Sequence, residues 1–516
     1  MSPLAAEPMI APLLVPVGRR EQPDRETARR GCEQLTVRCR AGVADLERHL
    51  DEAAGRVVTI VPGAQLGQSL PGTRVLGLPG SGVAVLAAMT EPGDLELTLT
   101  AAILAPGVLG ERERGRLLAA VAALPFTEAE MAGLHAEMQL TSGLPGWQPS
   151  GVLSDVAPML AVHHMTDFLV LVDTLRALGV DPAAMTVLDK RYAYQHTRRV
   201  DAHLRAGGVT VADWREASPA IAEHFARAAD AGRRPVLIDD GGYLLPVLLD
   251  EHPRLVRELL GLVEQTTSGI AKLARFGARL PVPVFSVAES RLKATIESYG
   301  VADAAIRNLL ALVPQEKWEG KPALVLGYGR IGEQVARVLR SRRMRVAVHD
   351  SELVRLVAAH ETGFTTGRSV RRLLGVHQPV LVVGATGHTS LRADHLDALR
   401  GDCYLASVTS RGRELALDEI ADDATTLAGP DGLRYRLASG VTVTVLADGF
   451  PLNFHHAESL PNSYADVVMA ALALGAVTLS AHRDGYPVGH QVALTDKMLE
   501  SSGLLERYYA LHGPAT

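Results

Sequence analysis

Apolar residues recur along this chain with two periods, and the switches between them outline its elements. In the C-terminal half, PALVLGYG, RVAVHD and VLVVGATG are short apolar runs ending in glycine or an acid, and the amphipathic EQVARVLRSR separates the first two. Such runs predict strands covered on both faces, as in a parallel sheet. From about Met159 onward VLIDDGG and PVPVFSV add two more, so α/β patterning governs this part of the chain. NSYADVVMAALALGAVTLSAH is apolar nearly all round and predicts a long helix buried against an earlier domain.

The first 130 residues are patterned differently. TARRGCEQLTVRCRAGVADLERHLDEAAG predicts a helix, RVVTIVP a strand, and TRVLGLPGSGVAVLAAM with DLELTLTAAIL a β-rich segment broken by Gly and Pro. GLPGSG lacks the GK[ST] ending of a phosphate loop and reads as a turn. ERERGRLLAAVAAL and TEAEMAGLHAEMQL read as helices, and SGLPGWQPSG as a linker. There is no internal repeat.

Composition narrows the classes of function. At 516 residues, 47% hydrophobic and 21% charged, the chain has room for two to four globular domains. A net charge of -6, 4% aromatics and no dense Lys/Arg run argue against nucleic acid as a partner. Cys32, Cys39 and Cys403 share no CxxC spacing, so no metal site or disulfide framework is indicated, and a cytoplasmic location is expected. The proline-broken apolar N-terminus reads as a poorly ordered arm, and no run is judged long enough for a membrane helix.

Gly327, Gly329 and Gly332 fit G-x-G-x-x-G between an apolar strand and an amphipathic helix. In that arrangement the first glycine makes a tight turn, the second admits a pyrophosphate, and the third lets helix pack on strand. Asp350 ends the next strand, where an acid takes the ribose hydroxyls of NAD; Arg345 and Arg355 stand nearby. A dinucleotide cofactor, NAD, is expected.

Other groups suggest chemistry, each with a plainer reading beside it. Asp239 and Asp240 close a strand before Gly241 and Gly242, as catalytic acids or as helix caps. Lys293 and Glu297 share a helix face, which by spacing alone describes an ordinary ion pair. His163-His164-Met165-Thr166 puts an imidazole beside a hydroxyl, although a buried histidine is more often simply satisfied. Adjacent histidines such as His455 and His456 point apart, so they do not suggest a metal.

The order of these motifs carries a resemblance. HMT, IDDGG, EQTTSG, S-x-x-K-x-x-x-E before YG, GYGRIG, YRLASG…LADGFPLN, NSY and YPVG, spread from Met159 to Gly489, resemble S-adenosylhomocysteine hydrolases. The resemblance implies an α/β fold: a Rossmann NAD-binding domain (301–453) inserted in an α/β substrate domain (131–300), with a helical return (454–516) and an N-terminal α+β extension (1–130) of no evident role. It also implies recycled NAD: oxidation of a ribose 3'-hydroxyl acidifies the C4' hydrogen, a base removes it, the 5' group leaves, water adds, and the alcohol is restored.

Carried over by position, the resemblance makes Lys293 the lysine at the 3'-hydroxyl, with Glu297 where the family has aspartate. It makes Asp240 the aspartate near the 5' position and His164 the histidine that serves the leaving group. Thr166, Gln265, Thr266, His455 and His456 would bind substrate. Gly327, Gly329, Arg330, Ile331, Gly332, Asp350, Thr267, Thr386, Gly387 and Asn453 would hold NAD. Hinges near Ala294–Asp303 and Asn453–Asn462 would let the domains close.

Departures are concentrated at the substrate end. Gln265 replaces a glutamate that grips ribose hydroxyls, Phe168 a polar residue at the adenine edge, and Ser410 a histidine beside the sugar. The loop from Asn453 to Asn462 is shortened, and the tail that in the family reaches a neighbour's cofactor is missing. The sequence therefore points to a specialised enzyme acting on a nucleoside, by 4',5'-dehydration or thioether hydrolysis, and to a homodimer or homotetramer binding neither nucleic acid nor membrane. A non-catalytic NAD-binding homologue and a simple dehydrogenase are the alternatives.

Overall fold

The computed structural model describes residues 33–40, 46–89, 96–192, 194, 196–409, 412–422, 424–429, 432–455, 460–482 and 485–514. Two compact units divide the chain: Met1–Met131 with Arg198–His203, and Ala132–Thr197 with Leu204–Thr516. The arm expected at the N-terminus lies outside the described residues, as do His456 and Ser410.

In the first unit β1 (Glu33–Arg40), β2 (Gln65–Leu70), β3 (Thr73–Leu78), β4 (Gly82–Met89) and β5 (Glu96–Ala105) form an antiparallel sheet in the order β1-β5-β4-β3-β2. Helices α1 (Leu46–Ile60) and α2 (Glu111–Ala122) pack with it, and Leu35, Leu50, Val57, Leu76, Leu86, Leu99 and Val121 make one core. Two expectations are corrected. EQLTVRCR is a strand with Leu35 and Val37 buried on one face, and RVVTI belongs to a helix because Leu50, Ala53, Ala54 and Val57 continue a helical stripe. The β-branched run favoured strand locally, and packing overrode it. GLPGSG is the β3–β4 turn, with Gly80 and Ser81 both at positive φ.

The second unit begins with parallel strands β6 (Val156–Val162), β7 (Thr186–Asp189), β8 (Thr210–Asp213), β9 (Arg234–Asp239), β10 (Leu262–Glu264) and β11 (Pro283–Ser286), ordered β11-β10-β9-β6-β7-β8. Strand order reverses between β6 and β9, so a crevice opens beyond their carboxyl ends. The connecting helices include α3 (Thr166–Ala177) and α4 (Thr267–Leu273).

Helix α5 (Arg291–Leu312) then runs unbroken for 22 residues into a second sheet. The segment Ala294–Asp303, expected as a hinge, is the middle of this helix. Strands β12 (Pro322–Leu326), β13 (Arg345–His349), β14 (Thr365–Thr366), β15 (Leu381–Gly384), β16 (Cys403–Ser407), β17 (Ala424–Gly429), β18 (Gly432–Leu437) and β19 (Thr442–Leu446) are ordered β14-β13-β12-β15-β16-β19-β18-β17. The first six positions form a parallel doubly wound sheet, and β18 and β17 extend it antiparallel. Helix α6 (Arg330–Ser341) follows β12 directly.

The chain finally returns to the first of these sheets. Helix α7 (Asn462–Ala481) lies against β9 and β10, and β20 (Gly489–Gln491) adds parallel to β11 as the seventh strand. Contrary to the sequence expectation, α7 is long and apolar enough to cross a membrane, but 83% of its apolar window is buried inside the protein, as suits a core helix. Its N-terminal turn is anchored by Asp466, whose carboxylate accepts the backbone N–H of Leu140 at 2.9 Å and of Thr141 at 2.7 Å.

Candidate active site

A cavity of about 1270 Å³ separates the carboxyl ends of the two parallel sheets in the second unit. Residues just past β6, β7, β9 and β10 (His163, Lys190, Asp240 and Gln265) face it from one side. Gly327, Asp350, Ala385 and Val408, just past β12, β13, β15 and β16, face it from the other.

The cofactor side follows from glycine sterics. Gly327 has φ +97°, and a Cβ there would stand 2.8 Å from the Ala385 carbonyl oxygen. A Cβ on Gly332 would lie 2.1 Å from the Gly327 oxygen, so only glycine lets α6 pack this close to the turn. Gly329 caps α6, and the first helical N–H groups, at Arg330 and Ile331, open on the cleft. Asp350 is fixed by the N–H of Tyr328 at 2.7 Å and of Glu352 at 2.8 Å. Thr386, Gly387 and Asn453 line the same wall. These residues fit a dinucleotide: an open helix N-terminus for the pyrophosphate beside a held carboxylate for a ribose.

On the opposite wall, Ser290 caps α5 and starts the turn that carries Lys293. The buried Lys293 ammonium donates to the Gln265 carbonyl at 2.6 Å and pairs with Glu297 at 3.2 Å. Spacing alone suggested a surface pair; depth in the cleft makes it a held proton donor or acceptor. Gln265, Thr266 and Thr267 line the cavity, with Thr266 capping α4, and the side-chain oxygen of Gln265 has no hydrogen-bond partner.

Asp240 sits in a charged knot. Its carboxylate meets Lys190 at 3.1 Å and His163 at 3.3 Å, and Lys190 also reaches the Asp240 carbonyl at 2.6 Å and His163 Nε2 at 3.0 Å. Burial alone would raise the Asp240 carboxyl, but the neighbouring His163, Lys190 and Lys293, the last two as cations at neutral pH, outweigh it and hold the group below its ordinary value. Burial, reinforced by Lys190, His164 and Lys293, pushes His163 down to about 3, against the pull of Asp240. His163 is therefore neutral near pH 7, stacked on Phe454 at 4.1 Å and bonded to the Tyr194 hydroxyl.

Four positions inferred from the family order do not line the cavity. His163, and not His164, faces the cleft; adjacent residues leaving a strand point to opposite sides, and His164 is fully buried against Phe168. Thr166 is buried as the first residue of α3, and His455 packs on Phe450; neither lines the cavity. Gly332 acts through packing and does not line the cavity.

Lys190, Tyr192, Tyr243 and Glu414 were not singled out from sequence. Lys190 had a usable signal, since VLDK is another apolar run ending at a strand terminus. Glu414 had none: its carboxylate gathers Thr386 N, Thr386 Oγ1, Ser390 Oγ and Thr409 Oγ1 at 2.6–2.9 Å, a convergence visible only in three dimensions.

The fold and the glycine turn define an NAD-binding α/β protein with a Rossmann sheet facing a second parallel sheet across a deep cleft. Residues 299–459 match the S-adenosyl-L-homocysteine hydrolase NAD-binding domain. An adenosylhomocysteinase of Aeropyrum pernix is 28% identical over 67% of this chain and 82% of its own length. An uncharacterized protein of Mycobacterium tuberculosis is 32% identical over 62% of this chain, and the match spans 63% of that relative's length. The Rossmann half of the chain thus resembles the NAD-binding domain of adenosylhomocysteinases, and its cofactor is NAD. Among solved structures, the dipicolinate synthase A chain of Bacillus subtilis superposes with a TM-score of 0.36 at 13% identity, over 64% of this chain and 97% of that one.

Proposed function

We propose that the protein oxidises the 3'-hydroxyl of a nucleoside and then eliminates or exchanges its 5' substituent, with NAD regenerated in each cycle. Bound NAD supplies hydride acceptance and return. The observation that carries the reading is the juxtaposition in one cleft of Lys293, paired with Glu297, and the glycine turn with Asp350.

Lys293 gives one of its protons to the Glu297 carboxylate at 3.2 Å and, so freed, takes the proton of the 3'-hydroxyl. Asp240, kept ionised by Lys190, and the neutral His163 act at the other end of the sugar, where a proton is taken up or given to the departing group. Gln265 offers an unpartnered amide oxygen to a sugar hydroxyl, a neutral contact. The Tyr192, Phe454 and Tyr243 rings exclude water. Under this reading the enzyme is cytoplasmic and homo-oligomeric.

The test is absorbance in the reduced-nicotinamide band after mixing NAD-loaded protein with a panel of nucleosides and S-adenosylhomocysteine. A stoichiometric rise that decays establishes recycled redox chemistry. A steady rise with NADH release identifies a simple dehydrogenase, and no rise with NAD bound identifies a binding protein.

A further inference from the structure

Lys272 and Arg413 line the cleft from opposite walls, Lys272 on α4 beside the first sheet and Arg413 beyond Thr409 on the Rossmann side. Neither forms an ion pair within 4 Å among the described residues. The Lys272 ammonium rests on the carbonyls of Gly241 and Gly242 and over the Tyr243 ring, 4.5 Å from its centroid. That places it beside Asp240, the residue before Gly241.

The two acids whose charges pull on Lys272, Asp239 and Glu264, lie behind the cavity wall and do not line it. Asp239 accepts the N–H of Tyr243 at 3.0 Å and of Leu244 at 2.7 Å; Glu264 accepts Gly241 N at 3.1 Å and Thr266 N at 2.9 Å. Burial pushes both carboxyls toward the protonated form. Asp240 is neutralised by Lys190. Burial, helped by the Arg413 and Lys190 charges, lowers the Lys272 pKa against the pull of Asp239 and Glu264. Two like charges that face one cavity and are not ion-paired are stabilised by a dianion.

We propose that the substrate is a nucleoside 5'-phosphate, its phosphate seated between Lys272 and Arg413. The inference rests on the 3'-oxidation reading for its chemistry. An amino-acid terminus would need a free acid for its ammonium group, and this end presents two cations instead. Once the 3' carbon is a ketone, the C4' proton leaves and the C5'–O bond breaks with its electron pair going to phosphate. The proton lost from carbon is matched by the one gained on released hydrogen phosphate. Reduction of the 3'-ketone then leaves a 4',5'-unsaturated nucleoside, with NAD returned to its starting state.

The experiment is calorimetric binding of the four common ribonucleosides, their 5'-monophosphates and S-adenosylhomocysteine to the NAD-loaded full-length protein. At least one monophosphate should bind about 100-fold more tightly than its nucleoside, and Lys272→Met and Arg413→Met should each lower that ratio about 10-fold. The proposal is overturned if no monophosphate is preferred over its nucleoside, if S-adenosylhomocysteine binds more tightly than all of them, or if both variants leave the ratio unchanged. Binding is read without turnover, so the two readings fail separately. Phosphate preference without nicotinamide reduction sinks the redox reading; reduction by uncharged nucleosides without that preference sinks only the phosphate seat.

Discussion

Lys293 differs from an ordinary i, i+4 partner only in where it stands. Substituting Lys293→Met should leave NAD binding intact by calorimetry and reduce the nicotinamide transient by about 10² to 10⁴-fold, the usual worth of a positioned acid or base. Near Asp240 the consequences concern stability as well. Asp240→Asn leaves the buried Lys190 ammonium without its counter-charge, which should cost about 3–5 kcal/mol in urea unfolding at pH 7. His163 titrates near 3 when folded and near its ordinary 6.5 when unfolded, so between those values the unfolded chain binds more protons and stability falls on acidification. The difference is on the order of 5 kcal/mol, and His163→Asn should flatten the decline between pH 6.5 and 3; an unchanged slope would refute the assignment. At this scale the sequence named the motif but not the member: only the strand's exit direction separates His163 from His164.

Among the elements, the strand–turn–helix around Gly327 was legible because three glycines, an apolar strand and an amphipathic helix agree with one another. Its steric basis makes a sharp test. Gly332→Ala puts a methyl group 2.1 Å from the Gly327 oxygen, so NAD affinity should drop at least 10-fold and thermal stability fall with it. Gly475 plays a similar part in α7, where a Cβ would meet the Val263 side chain at 2.7 Å. Gly475→Leu should lift the helix from β10 and lower stability by about 1–3 kcal/mol, measured by urea denaturation. The segment from Glu33 to Ile60 was read less well: RVVTI carries a local strand signal, the alternation in EQLTVRCR was subsumed in a longer helical reading, and burial of Leu35, Val37, Leu50 and Val57 in one core decides both.

Across the whole molecule, alternating apolar runs and glycine- or acid-terminated strands were enough to determine a parallel α/β protein with an NAD turn. Period, steric freedom and charge are properties of short segments, and those segments lie whole in the sequence. The motif order also placed Lys293, Asp240, Gln265 and Asp350, all of which line one cavity. What tertiary structure alone decided is which groups meet across long stretches of chain. Lys190 comes from 50 residues away to neutralise Asp240, and Glu414 reaches back 28 residues to hold Thr386. Lys272 and Arg413 converge on a cleft from different sheets. Sequence spacing carries no record of such meetings, because they depend on strand order and on the reversal between β6 and β9, where the crevice opens.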